Sequence, residues 1–153
     1  MSNITAADSP AQVDVRGPRF VAWVTTAVLV AALLISVQNA ALAAALLGIQ
    51  TLVFAVGAVA GPRRHPYGVA FAALIAPRLG PAREREPVAP LKFAQLVGFV
   101  FAALSTLGFA GGVMPLGLIA TGLALAAALL NAAFGICLGC QLYPLIARLT
   151  PTP

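Results

Sequence analysis

The chain is predicted to be an all-α integral membrane protein, with four transmembrane helices in two antiparallel hairpins. Three observations carry that reading. Two stretches, Phe20 to Pro62 and Phe93 to Ala147, contain no charged residue, and each is about twice the ~20 residues a helix needs to cross a ~30 Å hydrocarbon layer. Composition agrees: 61% of residues are hydrophobic and 8% charged, where soluble domains carry about 25% charged residues. The 9 Lys and Arg residues all lie outside the two stretches, at Arg16, Arg19, Arg63, Arg64, Arg78, Arg83, Arg85, Lys92 and Arg148.

The elements follow in chain order. Residues 1–15 are polar, hold Asp8 and Asp14 and lack periodicity, so a disordered tail is expected there. A single membrane domain covers 16–148. Its first span runs over about 20–37, and Pro18 suits a first helical turn because its missing N–H is not needed there. Gln38-Asn39 is the only polar break before a second span at about 40–60, which forces an antiparallel hairpin. Gly61-Pro62 ends that helix. The basic flank of the first span resembles a signal peptide, but its apolar core of about 18 residues exceeds the usual 7–15 and a second span follows at once.

Residues 61–92 form a central loop with 5 Arg, 1 Lys, 2 Glu, 6 Pro and the only histidine, His65. Within it Tyr67 to Ala76 is apolar but too short to cross a bilayer, so a short interfacial helix is expected. Lys92-Phe93 opens a third span at about 93–110. Gly111 to Pro115 makes an uncharged turn, a fourth span covers about 116–135, and 149–153 forms a C-terminal tail.

Charge sets the orientation. Both interhelix turns lack Lys and Arg, whereas the N-terminus, central loop and C-terminus carry all nine. The positive-inside rule then puts both termini and the central loop in the cytoplasm. The net charge of +5 is explained by these flanks and points to no nucleic acid. The two hairpins also look faintly alike: Arg19-Phe20 and Lys92-Phe93 open them, and Pro66-Tyr67 and Tyr143-Pro144 close them, a match a few residues wide that fits a parallel internal repeat and chance equally well.

One short motif carries potential chemistry, Cys137-Leu138-Gly139-Cys140. An i, i+3 spacing brings two thiols to one side of a helix, where they can form a disulfide or offer two metal ligands. Gly135 is a point at which the fourth helix can break, leaving Cys137 at the start of a short final helix. Proximity to a helix N-terminus lowers a thiol pKa and exposes the reactive thiolate. The alternative is that both cysteines pack as small apolar residues. A zinc site wants four ligands, and only His65 could join the cysteines within one chain. No metal or cofactor is therefore expected.

Small residues recur at Ala120, Ala124, Ala128 and Ala132, in Gly135-x-x-x-Gly139 and in Gly108-x-x-x-Gly112. Such seams let helices approach closely, within the chain or in a homo-oligomer. Gln50, near the middle of the second span, and Asn131, near the end of the fourth, are expected to bond a neighbouring helix. No ionisable side chain lies inside a span, which argues against an ion-coupled transporter.

Several blocks resemble an uncharacterised bacterial membrane family, domain of unknown function 4395: Arg16-Gly-Pro-Arg-Phe20, Pro66-Tyr-Gly68, Arg78-Leu-Gly-Pro81 with Glu84 and Glu86, Phe93-Ala-Gln-Leu-Val-Gly98, and Leu130 to Cys140. The resemblance implies a small multi-pass protein of the bacterial plasma membrane, found beside thioredoxin-like or sulfurtransferase-like partners, and no established activity. The functional expectation is a thiol-redox or sulfur-metabolism accessory that uses Cys137 and Cys140 as a redox pair. The competing expectation is a non-enzymatic scaffold or accessory subunit with structural cysteines. A carrier for a small neutral solute ranks behind both.

Overall fold

A computed structural model describes residues 11–150. Four long helices carry the fold: α1 (Arg16–Ser36), α2 (Ala40–Ala60), α4 (Val88–Ala110) and α5 (Met114–Phe134). At 21 to 23 residues and about 1.5 Å rise per residue, each is long enough to cross a bilayer. Two short helices follow the hairpins, α3 (Pro66–Leu74) and α6 (Leu138–Leu149). Short strands β1 (Gln12–Asp14) and β2 (Arg85–Pro87) precede α1 and α4. The protein is thus a multi-pass all-α membrane protein built on two antiparallel hairpins.

The hairpin turns arise locally. The Asn39 side chain accepts a hydrogen bond from the Leu42 N–H at 3.0 Å, capping α2 three residues after α1 ends. Gly61, at φ +87°, closes α2 in a conformation that a side chain would resist. The four long helices form a closed ring in which α1 and α4 each pack against both α2 and α5. The centre is small and tight, with Leu29, Ala32, Ala43 and Leu47 fully buried against Phe109. Close approach depends on glycine. A Cβ at Gly108 of α4 would strike the Gly117 backbone of α5, and one at Gly98 would sit 2.6 Å from the Phe54 ring. Leucine, valine and isoleucine side chains meanwhile cover the outside, where lipid replaces water.

The weak internal likeness of the hairpins has a structural counterpart. A long, long, short helix pattern occurs twice, as α1–α2–α3 and α4–α5–α6. Short helix α3 packs on α1 as α6 packs on α4, and the α2·α4 contact has its equivalent in α1·α5. The strands before α1 and α4 pair antiparallel, with Val13 opposite Glu86 at the centre.

That ribbon corrects the expectation of a disordered tail through residue 15. Residues 11–15 are ordered because the central loop offers them a backbone partner: Val88 N–H donates to Ala11 O at 2.9 Å and Val15 N–H to Glu84 O at 3.3 Å. Asp14 adds a two-pronged ion pair with Arg16, closest at 2.7 Å, and Arg16 also donates to Gly80 O. The hydrogen bonds from Arg16 hold the Asp14 carboxyl below its ordinary range. Residues 1–10, the rest of that expected tail, lie outside the described residues. The spans otherwise fall close to their expected limits, with α1 and α4 starting four to five residues earlier because Arg16-Gly-Pro-Arg and Val88 to Lys92 join the first turns.

Candidate functional site

The α5–α6 junction places the cysteines. Gly135 takes the left-handed conformation at φ +70°, and the Gly135 and Ile136 N–H groups fold back onto Asn131 O and Leu130 O at 3.0 and 3.2 Å. This reversed closure satisfies carbonyls that α5 would leave bare and turns the chain sharply. The next helix starts three residues on. Cys137 is its capping residue, extended at φ −90°, ψ 100°, and its Sγ accepts from the Cys140 N–H at 3.2 Å.

Cys137 and Cys140 are joined as a disulfide, with Cα atoms 5.2 Å apart. The geometry differs from two thiols on one helical face, since Cys137 lies just outside the helix and Cys140 in its first turn. Both residues are partly exposed. The Cys137 sulfur thus meets the Cys140 N–H at the positive, N-terminal end of α6.

Two contacts hold this turn against α4. Gly139 lies directly on Ala94, where a Cβ would come within 2.7 Å of the Ala94 Cα. Further along, the Tyr143 ring rests on Phe93 with centroids 6.0 Å apart. Pro144 lies inside α6 and lacks the N–H that would bond back to the Cys140 carbonyl. The cysteine-bearing turn is therefore less firmly tied to the rest of its helix than an unbroken α-helix would be. Gln141 and Arg148, seven residues apart, share one stripe of α6 that flanks a face of Leu138, Leu142, Leu145 and Leu149, the uneven distribution of a helix lying at an interface.

Beside the disulfide, α1, α4, α5 and α6 surround a cavity of about 300 Å³. Val21, Ala22 and Thr25 form one wall, Gln95 and Gly98 another, and Ala124, Ala128 and Asn131 a third, with Phe54 of α2 also reaching it. Cys137, Leu138, Gly139 and Leu142 complete the lining. The space exists because alanine and glycine line it where larger residues would fill it. Ala120, Ala124 and Ala132 of the expected small-residue stripe are buried, but the Ala124–Ala128 stretch borders this cavity. Asn131 lies on its wall and makes no hydrogen bond from its side chain among the described residues, contrary to the expectation for a span amide.

Gln50 meets its expectation, accepting from the Tyr67 hydroxyl of α3 at 2.7 Å. Around it lies a polar cluster that sequence reasoning missed. His65 caps α3, its Nδ1 accepting from the Tyr67 N–H at 3.2 Å, and it is 1% exposed. An accepting Nδ1 leaves the neutral ring protonated at Nε2. A Cβ at Gly57 would lie 2.6 Å from the His65 ring and 2.8 Å from Gln95 Oε1, so both side chains crowd onto this glycine. Burial pushes the His65 pKa down to about 4, which the Gln95 side chain partly offsets. In sequence, the signal was only a lone histidine before Pro66-Tyr67. Its partners, 15 residues back and 30 ahead of it, come together through the hairpin packing.

No cluster of three or more metal-ligating side chains occurs among the described residues. His65 and the cysteines cap different short helices, one in each half of the chain. Comparisons with curated proteins and with solved structures find no match. Comparison with known families matches residues 13–148 to the family described as domain of unknown function (DUF4395). That span takes in both hairpins, both short helices and the Cys137–Cys140 turn, so the chain belongs to the DUF4395 family.

Proposed function

We propose that this protein is a thiol–disulfide component of the bacterial plasma membrane, with Cys137 and Cys140 as a reversible redox pair on the cytoplasmic side. The observation that carries the reading is the position of the pair: a disulfide at the start of a short, interfacial helix, partly exposed and at the bundle end where all nine cations gather. Positive flanks favour the cytoplasmic face. A thioredoxin-like or sulfurtransferase-like protein is the exchange partner in this reading.

The exchange needs no metal or cofactor. A partner thiolate attacks one sulfur of the disulfide; a mixed disulfide forms and the other cysteine leaves as thiolate. The partner's second thiol then attacks the mixed disulfide, so that the partner is oxidised by two electrons and Cys137–Cys140 is reduced to the dithiol. Run backwards, the same steps reduce the partner. The scaffold alternative draws on the small-residue seams, but Gly108, Ala120 and Ala132 are occupied in packing within the chain.

The test is a Cys140→Ser variant in native membranes, where the single Cys137 should hold a mixed disulfide that a resolving thiol can no longer release. Recovery of a reductant-sensitive adduct with a thioredoxin-like protein, absent from the Cys137→Ser/Cys140→Ser double variant, is expected. Equal growth under thiol stress and equal adduct patterns for all variants would overturn the reading.

A further inference from the structure

We infer that the cavity between α1, α4, α5 and α6 is a phospholipid site: one acyl chain lies in it and the lipid phosphate meets Arg19. The inference stands apart from the redox reading of the cysteines.

The shape of the space selects a chain. Its lining runs from Pro18 to Thr25 on α1 and from Leu91 to Phe101 on α4, about 10–15 Å along the helix axes at ~1.5 Å per residue. It is therefore an upright slot, parallel to the lipid chains around the bundle. A volume of about 300 Å³ over that length leaves a cross-section of roughly 20–30 Å², too narrow for a helix of about 10–12 Å diameter and wide enough for one hydrocarbon chain. The slot opens sideways. Leu123, Leu138 and Leu142 line it and are nevertheless exposed, on the outer surface that lipid covers. An occupant can enter from the bilayer without crossing water. No charged side chain lies on the walls, so the part of the occupant held between them is uncharged.

The polar groups gather at one end. Pro18, Leu91, Asn131 and Cys137 mark the end of the slot nearest the basic loops. Arg19, next to Pro18, reaches across it from α1 to α5 and donates from Nη2 to Ala132 O at 3.3 Å. The reversal at Gly135 sends the Ile136 N–H to Leu130 O, which leaves Ala132 O, its partner in a continued helix, to Arg19. A guanidinium carries five N–H groups, and no other hydrogen bond from the Arg19 side chain occurs among the described residues. The residue is exposed, so those groups can take a phosphate oxygen in charge-assisted hydrogen bonds. Glu86 is near enough to feel the charge of Arg19 but forms no ion pair with it among the described residues. Other cations stand elsewhere: the Lys92 stem lies beside Gly61 of α2, and Arg148 is at the far end of α6, roughly 15 Å beyond Leu138. An apolar slot with a guanidinium over its mouth matches a chain with a phosphate at its head. A diacylglycerol would fill the slot and leave Arg19 without an anion. Bound there, the chain completes the wall that carries Cys137, Leu138 and Gly139, so the lipid supports the cysteine turn.

Native mass spectrometry of the full chain in detergent, titrated with dioleoylphosphatidylglycerol, tests the site. The first lipid should bind more tightly than later ones, and about fivefold more tightly than dioleoylglycerol, which has the same chains and no phosphate. Arg19→Gln should remove that preference, whereas Arg148→Gln should leave it. Ala128→Phe should abolish the tight step by filling the slot, with an unchanged thermal melt showing that it has folded. A phosphatidylglycerol with a diazirine in its chain, photolysed at one equivalent per wild-type protein, locates the chain without any variant. Adducts should fall on Ala94, Ala128 and Leu138 rather than on the outward Leu34, Leu52 and Leu107. A first step no tighter than the later ones, or adducts spread over the outward leucines, would overturn the site. Equal weakening by Arg19→Gln and Arg148→Gln would overturn the assignment of the phosphate to Arg19.

Discussion

Replacing Gly139 with alanine tests whether α6 is held where the cysteines need it. The added Cβ would lie 2.7 Å from the Ala94 Cα and 2.8 Å from its Cβ, whereas carbons meet comfortably at about 3.5–4.0 Å. Helix α6 must therefore withdraw from α4 by roughly 1 Å, or the bundle must deform. Overpacking of this kind costs about 1–3 kcal/mol. Because α6 follows the last span and is anchored mainly by Gly139 and Tyr143, the cost should fall on its docking rather than on the four-helix ring. Opening of α6 then becomes roughly 5- to 150-fold more frequent, a local event separable from global unfolding. Hydrogen exchange of the α6 amides in nanodiscs, with the disulfide intact, reads this directly. Gly122→Ala is the control, since its Cβ would meet nothing within 4 Å, and a helix-interior glycine-to-alanine change should be neutral or stabilising by about 0.5–1 kcal/mol. Unchanged α6 protection in Gly139→Ala would refute the close-contact argument.

Other consequences follow from the buried groups. His65 is neutral when folded, with its pKa lowered from 6.5 to about 4; the unfolded chain binds the extra proton between those values, so stability should fall as pH drops from 6.5 towards 4 by up to about 3 kcal/mol. Thermal melts of wild type and His65→Asn across that range should converge at low pH, and parallel curves would contradict the assignment. Tyr67→Phe should cost about 1–3 kcal/mol, because Gln50 is then buried with neither amide atom paired, whereas adding Gln50→Leu should recover much of the loss; a double-mutant cycle showing no coupling would remove the Tyr67–Gln50 bond from the account. Gly108→Ala should destabilise the α4–α5 hairpin by about 1–3 kcal/mol through its collision with the Gly117 backbone, read as a lower melting temperature without a change in oligomeric state. If the variant instead altered self-association alone, the seam would belong between chains.

The spans were legible because their signal is one-dimensional. Uncharged apolar length, Gly61-Pro62 and the cations at the flanks act locally, and Asn39 caps α2 within its own turn. The break at Gly135 was legible for the same reason, since glycine adopts positive φ without penalty. The cavity was not: Thr25, Gln95, Asn131 and Cys137 come from helices far apart in sequence and converge only when the ring closes. Likewise, Gln12–Asp14 has no apolar alternation to mark a strand, and its order comes from pairing with Arg85–Pro87 across the chain. The repeat was faint in sequence because it is conserved in packing rather than in residues, with His65 and Cys137 capping the equivalent helices α3 and α6.

The central claim is that Cys137 and Cys140 form a reversible disulfide on the side of the membrane that carries the basic loops. Labelling with a membrane-impermeant maleimide in right-side-out and inverted vesicles, before and after reduction, tests it most directly. The account predicts labelling only in inverted vesicles and only after reduction, with both cysteines modified. Labelling in right-side-out vesicles would contradict the orientation, and equal labelling without reductant would contradict the disulfide.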